Sequence, residues 1–474
     1  MKYLCALLVL FAACGGDDVD SVAKLMDPNT CVECHAKYHD QWSASMHAYA
    51  SDDPVFLAMN KRGQRETNNQ LGTFCIQCHA PMAVALGTVT NENAKDFDPT
   101  TLSPSERGIT CYFCHNVQKI TDDHNNGLVL ANDTTMRGGL QGPVTSPAHH
   151  SKYDPLMDSD LNESEMCGSC HDVVTPRGVA LERTQQEWQG TFFAKEKDPR
   201  HHLTCGGCHM PSSNDTIADK PGLSVPFRPN GVHEHLWPGI DEALTPFPGM
   251  DVMSAGIHRD LHGAISVTGP TPRDGPPAPG GICLDPPGVL SVRVDSIGTG
   301  HSWPSGAAQD RRAWLEVTAK RTDGSIVFQS GQVADRQDPE ALNDPNLLGF
   351  WDRTARTDGM PAHFFWEVAT VDSKLLKGPP TIDKNDPLFD HSTTAKFNIG
   401  NYLEIDHIDV RVRIRPLPYA VLDELVASGD LAPEVAGRMK TLEIEGTQRH
   451  WDKATKGMAG TPAANTNCSP FSTY

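Results

Sequence analysis

The rhythm of hydrophobic and polar positions changes about two thirds of the way along the chain. Residues 289–294 alternate as a strand does, and 313–320, 326–333, 364–371, 393–399 and 408–414 are further short segments rich in apolar and β-branched residues. Asp323-Gly324 separates the second from the third, which predicts a tight hairpin. Short strands at this spacing, with turn residues between them, predict a small antiparallel β-sandwich over 285–417. Residues 418–453 form a C-terminal segment of helical character. Within it 422–442 reads as helix, broken between Gly429 and Pro433. From 454 the chain is rich in Gly, Ala, Thr and Asn and is expected to be a disordered tail.

Upstream the pattern is different. Between 27 and 211, Pro, Gly and Asn are scattered throughout, and only short helices are expected, for example over 36–50 and 184–195. Residues 212–284 read as a Pro/Gly-rich connector with several His, and 268–281 as a linker. Met1 to Ala13 resembles an export signal, with Lys2 ahead of an apolar run too short to span a membrane. The run ends Leu10-Phe11-Ala12-Ala13-Cys14-Gly15, which resembles a lipoprotein box with Phe11 in place of the usual Leu. Lipidation at Cys14 is one reading, and cleavage after Ala12-Ala13 with Cys14 incidental is the other. Residues 15–26 would then be a tether. No other segment is long and apolar enough to be a transmembrane helix.

The 27–211 region carries the chemistry. Cys-x-x-Cys-His occurs five times: Cys31-Cys34-His35, Cys75-Cys78-His79, Cys111-Cys114-His115, Cys167-Cys170-His171 and Cys205-Cys208-His209. Paired Cys could also be zinc ligands or a redox dithiol. Neither use requires His directly after every second Cys, and all five pairs have it. The spacing is that of covalent c-type haem, with two thioether attachments and the adjacent His as proximal iron ligand. Five covalently attached haems are therefore expected. Successive motifs start 44, 36, 56 and 38 residues apart. Segments that short cannot each build a sizeable core, so the haems must pack closely and serve as core themselves. The hydrophobic content of 38% fits that expectation.

Beyond the proximal five, sixteen of the 21 His remain as second axial ligands. His235-Leu-Trp237-Pro238 and His301-Ser-Trp303-Pro304 share a local pattern in which a Pro-anchored turn would hold the imidazole rigidly. His124, His201, His202, His233, His258 and His262 compete for what is left. His258 and His262, four apart, could hold a metal on a helix, although Gly256 and Gly263 weaken the helix there. Cys283 and Cys468 flank the β region and could pair. The formal net charge of −20 makes nucleic acid and anionic membranes poor partners and would steer cationic ones inward.

The haem region resembles the cytochrome c554 type of multihaem cytochrome. The first motif is followed by Gln41-Trp42-Ser43-Ala44-Ser45-Met46-His47, the Trp-x-x-Ser-x-His element of that group. Cys78-His79-Ala80-Pro81, Gly108-Ile109-Thr110 before the third motif, Ser146-Pro147-Ala148-His149 and His209-Met210-Pro211 are similar. Gly300-His301-Ser302-Trp303-Pro304-Ser305-Gly306, followed by Arg312 and Trp314, resembles a C-terminal domain of some multihaem cytochromes. The resemblance implies His47 and His149 as distal ligands, beside His235 and His301. It implies an exported electron carrier, periplasmic or on the cell surface, working with other cytochromes or a quinol-linked reductase, as a single molecule, an oligomer or a filament. The alternative is a multihaem oxidoreductase acting on small nitrogen or sulfur compounds at one open haem. Pentahaem nitrite reductases are similar in haem count, but they carry Cys-x-x-Cys-Lys at the catalytic haem. This chain has none.

Overall fold

Each attachment motif ends a helix or bends one at its His. The second, third and fifth motifs lie on the short helices Ile76–His79, Cys111–His115 and Cys205–His209, and the fourth closes Asp160–His171. The first opens Val32–Ser43, where His35 leaves helical geometry (φ −127°, ψ 39°). Residues three apart on one turn share a face, so each Cys pair is presented together. Thr110 and Thr204 cap their helices through backbone N–H groups of Phe113 and Gly207, fixing where the motif begins.

These features come from a computed structural model that describes residues 21–138, 152–153, 160–196, 198, 200–220, 225, 227–268, 283–285 and 287–452. The signal-like segment with Cys14, the His149 element, most of the 268–281 linker and the tail with Cys468 lie outside these residues. The helix expected over 36–50 divides into the end of Val32–Ser43 and Met46–Tyr49, and that over 184–195 into Thr184–Gln189 and Phe192–Lys195.

The C-terminal region holds two larger antiparallel sheets and a two-stranded one, Asp352–Ala355 with Thr370–Ser373, giving an α+β chain of short helices and antiparallel strands. One sheet centres on Val289–Asp295, flanked by Thr393–Asn398 on one side and by Ser266–Thr268 and Cys283–Asp285 on the other. The second centres on Arg312–Lys320 paired with His407–Arg415, and the Asp323-Gly324 turn brings back Ile326–Ser330. Gly324 takes a positive φ of 82° at that turn. Leu290, Val292 and Val294 of the first sheet share one core with Leu315, Val317, Val410 and Val412 of the second. Alternation sends Trp314 and Glu316 to the opposite face. There Arg413 and Arg415 lie over the Trp314 ring and Glu316 pairs with Arg411.

The strands pass beyond the expected bounds of 285–417. Ser266–Thr268 joins from the connector, Cys283 itself sits in a strand, and Leu442–Glu443 and Arg449–Asp452 return after the C-terminal helices. The expected strand at 364–371 is not one. Phe364 and Trp366 lie in a turn with their rings stacked 5.0 Å apart, and pairing begins only at Thr370–Ser373. Their apolar pattern reflects burial against the helix Pro54–Glu66, not a sheet. Tyr419–Ala427 and Pro433–Ala436 are the two expected helical pieces, and Gly429 (φ 74°) makes the break. They pack on Val55 and Ala58 of the same haem-region helix, so the chain end and the motif region share a core.

Leu315 is 1% exposed in the inter-sheet core and Ile326 is 54% exposed at the hairpin. Leu315→Ala should cost about 2–5 kcal/mol, against within about 0.5 kcal/mol for Ile326→Ala. Chemical denaturation followed by far-ultraviolet circular dichroism separates the two.

Candidate haem-binding centre

Four of the five proximal imidazoles are fixed by backbone carbonyls. Nδ1 of His35 lies 2.6 Å from the Ile217 oxygen, of His79 2.9 Å from Ala50, of His115 2.5 Å from Arg137 and of His209 3.2 Å from Pro238. A carbonyl can only accept, so Nδ1 carries the hydrogen and Nε2 keeps its lone pair for a metal. The same arrangement holds Nδ1 of His235 to the His233 oxygen (2.9 Å) and of His301 to that of Ser302 (2.7 Å). The clamps on the motif His had no sequence signal, because their acceptors are main chain and 22 to 182 residues away.

Three proximal rings face a second imidazole. His115 and His235 have centroids 6.2 Å apart and planes 20° apart, and His209 and His301 are 6.4 Å and 5°. His171 and His47 are 6.2 Å apart with planes at 69°. Two imidazoles bound through nitrogen to opposite sides of one metal, at bond lengths of about 2.0 Å, have centroids roughly 6.3 Å apart. Phe56 stacks on the His79 ring at 4.0 Å, a contact the sequence reading missed.

Local structure explains how His47 arrives. Ser45 caps the helix Met46–Tyr49 through the Ala48 N–H, and Trp42 Nε1 donates to the Ile109 oxygen at 2.7 Å. Ile109 N–H in turn donates to the His47 oxygen at 2.9 Å. Gly108 adopts φ 68° there, and a Cβ on it would stand 2.6 Å from the Ala48 oxygen, so only Gly admits this approach. The Trp-x-x-Ser-x-His element is thus a tie between the first and third motifs. Trp237 then lies edge-on to both His47 (4.8 Å) and His235 (5.3 Å).

Burial keeps these rings neutral. Desolvation, with neighbouring imidazoles adding, holds His47 at about 3 and His171 and His235 at about 4. His79, His115, His209 and His301 are also lowered, chiefly by burial. Neutral imidazole is the ligand form. The motifs themselves are neighbours: Cys31 lies beside Cys111, and Cys78 beside Cys170. Desolvation pushes Cys75 and Cys114 up to about 12 and Cys208 to about 11.

The other candidates sit elsewhere. His124 is held by Asp122 and Asp123 on the surface, and His202 Nδ1 by the Glu196 oxygen. His233 is exposed with Nδ1 on the Met210 oxygen, and His201 is exposed. His258 and His262 are exposed, and His262 lies past the end of Met250–Leu261, so they form no helical metal pair. His149 and Cys14 lie outside the described residues.

These features fit c-type haem: thiols paired on one turn, a His with its Nε2 left available, and a second imidazole opposite. Residues 30–116 match the family described as cytochrome c554 and c-prime. The fold is similar to the crystal structure of a penta-heme cytochrome c552 from Thermochromatium tepidum. The TM-score is 0.58 at 18% identity, over 89% of this chain and 97% of that one. No curated protein matches the chain. The chain is thus similar to the cytochrome c554 and c-prime family over residues 30–116 and similar in fold to a penta-heme cytochrome. Cytochromes of this kind are typically exported to the periplasm. Among the described residues no helix is long and apolar enough to cross a membrane.

Replacing His47, His235 or His301 by Ala should each convert one low-spin haem to high-spin and leave the others unchanged. Electron paramagnetic resonance of the oxidised holoprotein reads this directly. An unchanged spectrum removes that residue as a ligand.

Proposed function

We propose that this chain is an exported pentahaem cytochrome that carries electrons through closely packed haems, mostly with two His ligands, between redox partners. The observation that carries the reading is the set of three opposed imidazole pairs, in each of which a motif His faces a residue from another part of the chain. The ten motif Cys would attach five haems, with His35, His79, His115, His171 and His209 proximal. His235, His47 and His301 would be distal to His115, His171 and His209, and His149 remains a candidate for one of the other two.

Bound at such a pair, haem supplies a one-electron couple on an iron with no open position. The residues then serve to hold geometry constant as charge changes. Backbone-clamped imidazoles cannot rotate freely, so little reorganisation accompanies each transfer. The contacts of the first motif with the third, and of the second with the fourth, would keep neighbouring haems close enough to exchange electrons.

His301 gives the β-sheet region a place in this reading. It reaches His209 from the loop that opens the second sheet, and Trp303 anchors that loop by backbone hydrogen bonds with Leu376 in both directions (2.8 and 2.9 Å). The β region would thus complete the fifth haem centre. A lipid on Cys14, partners among cytochromes or a quinol-linked reductase, and assembly into oligomers belong to the same proposal. The motif-by-motif domain plan, with a haem domain over 27–211 and a connector over 212–284, does so too.

Two measurements test it. Intact mass after export should exceed the polypeptide by five haems, and a smaller count contradicts the assignment. Carbon monoxide added to the dithionite-reduced holoprotein should leave the greater part of the Soret band unmoved. A shift across most of the band contradicts two-His ligation.

A further inference from the structure

A buried acidic cluster lies between the fourth motif and the β region, and nothing above uses it. The strand Ala180–Arg183 pairs with Asp172–Val174, and Glu182 stands opposite Val173, two residues past His171. From the β region Gln309, Asp310, Arg311 and Asp352 come to the same place. Arg183 bridges to Asp352 at 3.0 Å, Asp352 N–H donates to the Ala308 oxygen, and Arg311 holds Asp241 by two bonds of 2.7 and 2.8 Å.

The cluster is under-satisfied. Both amide atoms of Gln185, Oε1 of Gln309, Oδ1 of Asp352 and Nε of Arg311 are buried with no hydrogen-bond partner in the protein, and Gln185, Gln309 and Asp352 are only 2%, 7% and 1% exposed. Buried polar groups in folded proteins are almost always paired, with ordered water where protein does not serve. So many unpaired donors and acceptors together are what ordered water would satisfy.

We propose that Glu182, with Asp310, is a redox-linked proton site: one of these carboxylates takes a proton from solvent when an electron arrives at the metal centre served by His171. The inference rests on the haem reading of the fourth motif. The balance is one electron from a one-electron donor to the iron and one proton from water to a carboxylate, giving a carboxylic acid with no other bond changed.

The electrostatics agree. Desolvation pushes Glu182 up to about 7. Asp310, Asp172 and Asp241 push the same way and Arg311 opposes them. Desolvation raises Asp310 to about 6 against Arg312, Arg311, Gln309 and His363. Adjacent strands lie about 4.8 Å apart, so an electron at the His171 centre would be on the order of 10 Å from Glu182. At that separation and an effective dielectric of about 20, it would tighten proton binding roughly tenfold, about one pH unit.

The sign follows. A proton bound more tightly in the reduced form favours reduction at low pH. The midpoint potential of one component should therefore fall as pH rises, from about 7 if Glu182 takes the proton or about 6 if Asp310 does, over about one unit, and be flat outside that window. A tenfold change corresponds to a fall of about 59 mV. Spectroelectrochemical titration of the holoprotein from pH 5 to 9 should show this, and Glu182→Gln or Asp310→Asn should reduce it, with the double substitution removing it. A slope retained in the double variant assigns the proton to other groups, such as haem propionates, and overturns the proposal. A wild-type midpoint flat over the whole range also overturns it. If the variants do not fold, redox-triggered infrared difference spectra of the wild type decide: a protonated-carboxyl band must grow on reduction, and its absence overturns the proposal. A failure of reversible haem reduction would instead count against the electron-transfer reading.

Discussion

Everything in this molecule depends on holding two neutral imidazoles opposite one another from separate parts of the chain. One ring follows an attachment motif, and in two of the three pairs a distant carbonyl clamps it. The other is delivered by an unrelated turn or helix. The separations of 6.2–6.4 Å tolerate little error, since a metal–nitrogen bond is specified to about 0.2 Å. The polypeptide between motifs is then free to be irregular, because its task is to place rings and carbonyls around small apolar clusters such as Phe56, Ile76 and Ala83.

This division explains why the chain has two characters. The motif region has only small apolar clusters and ends or bends a helix at each His. The β region has a conventional core of alternating Val, Leu and Ile between two sheets and lends rigidity where irregular backbone cannot. His301 sits on that rigid base, and the C-terminal helices brace the haem-region helix Pro54–Glu66 through Val55 and Ala58. The two regions also meet through polar contacts such as Arg183–Asp352 and Trp366–Glu66. The motif-bearing and β-sheet parts are therefore packed against each other and not strung as beads on a linker.

Much of the site was legible in the sequence, because its chemistry is local: Cys-x-x-Cys-His is complete within five residues, and the Trp-Pro pattern beside His235 and His301 is complete within four. The paired strands at 313–320 and 326–333 were legible for the same reason, with Asp323-Gly324 setting the turn. What stayed hidden is non-local. Backbone carbonyls that fix His35 and His79 have no side-chain identity to read. Phe364 and Trp366 look like strand residues because burial, whatever its partner, selects the same side chains. Short strands such as Ser266–Thr268 and Leu442–Glu443 carry too few residues for a period to show. The carboxylates around Glu182 become a cluster only once the β region docks.

The central claim is the opposition of paired imidazoles, and near-infrared magnetic circular dichroism of the oxidised holoprotein tests it most directly, since the position of the ligand-to-iron band reports the axial pair at each low-spin haem. The account predicts a bis-imidazole band with the intensity of at least three haems. An intensity below that, or a dominant band from another ligand pair, would contradict it.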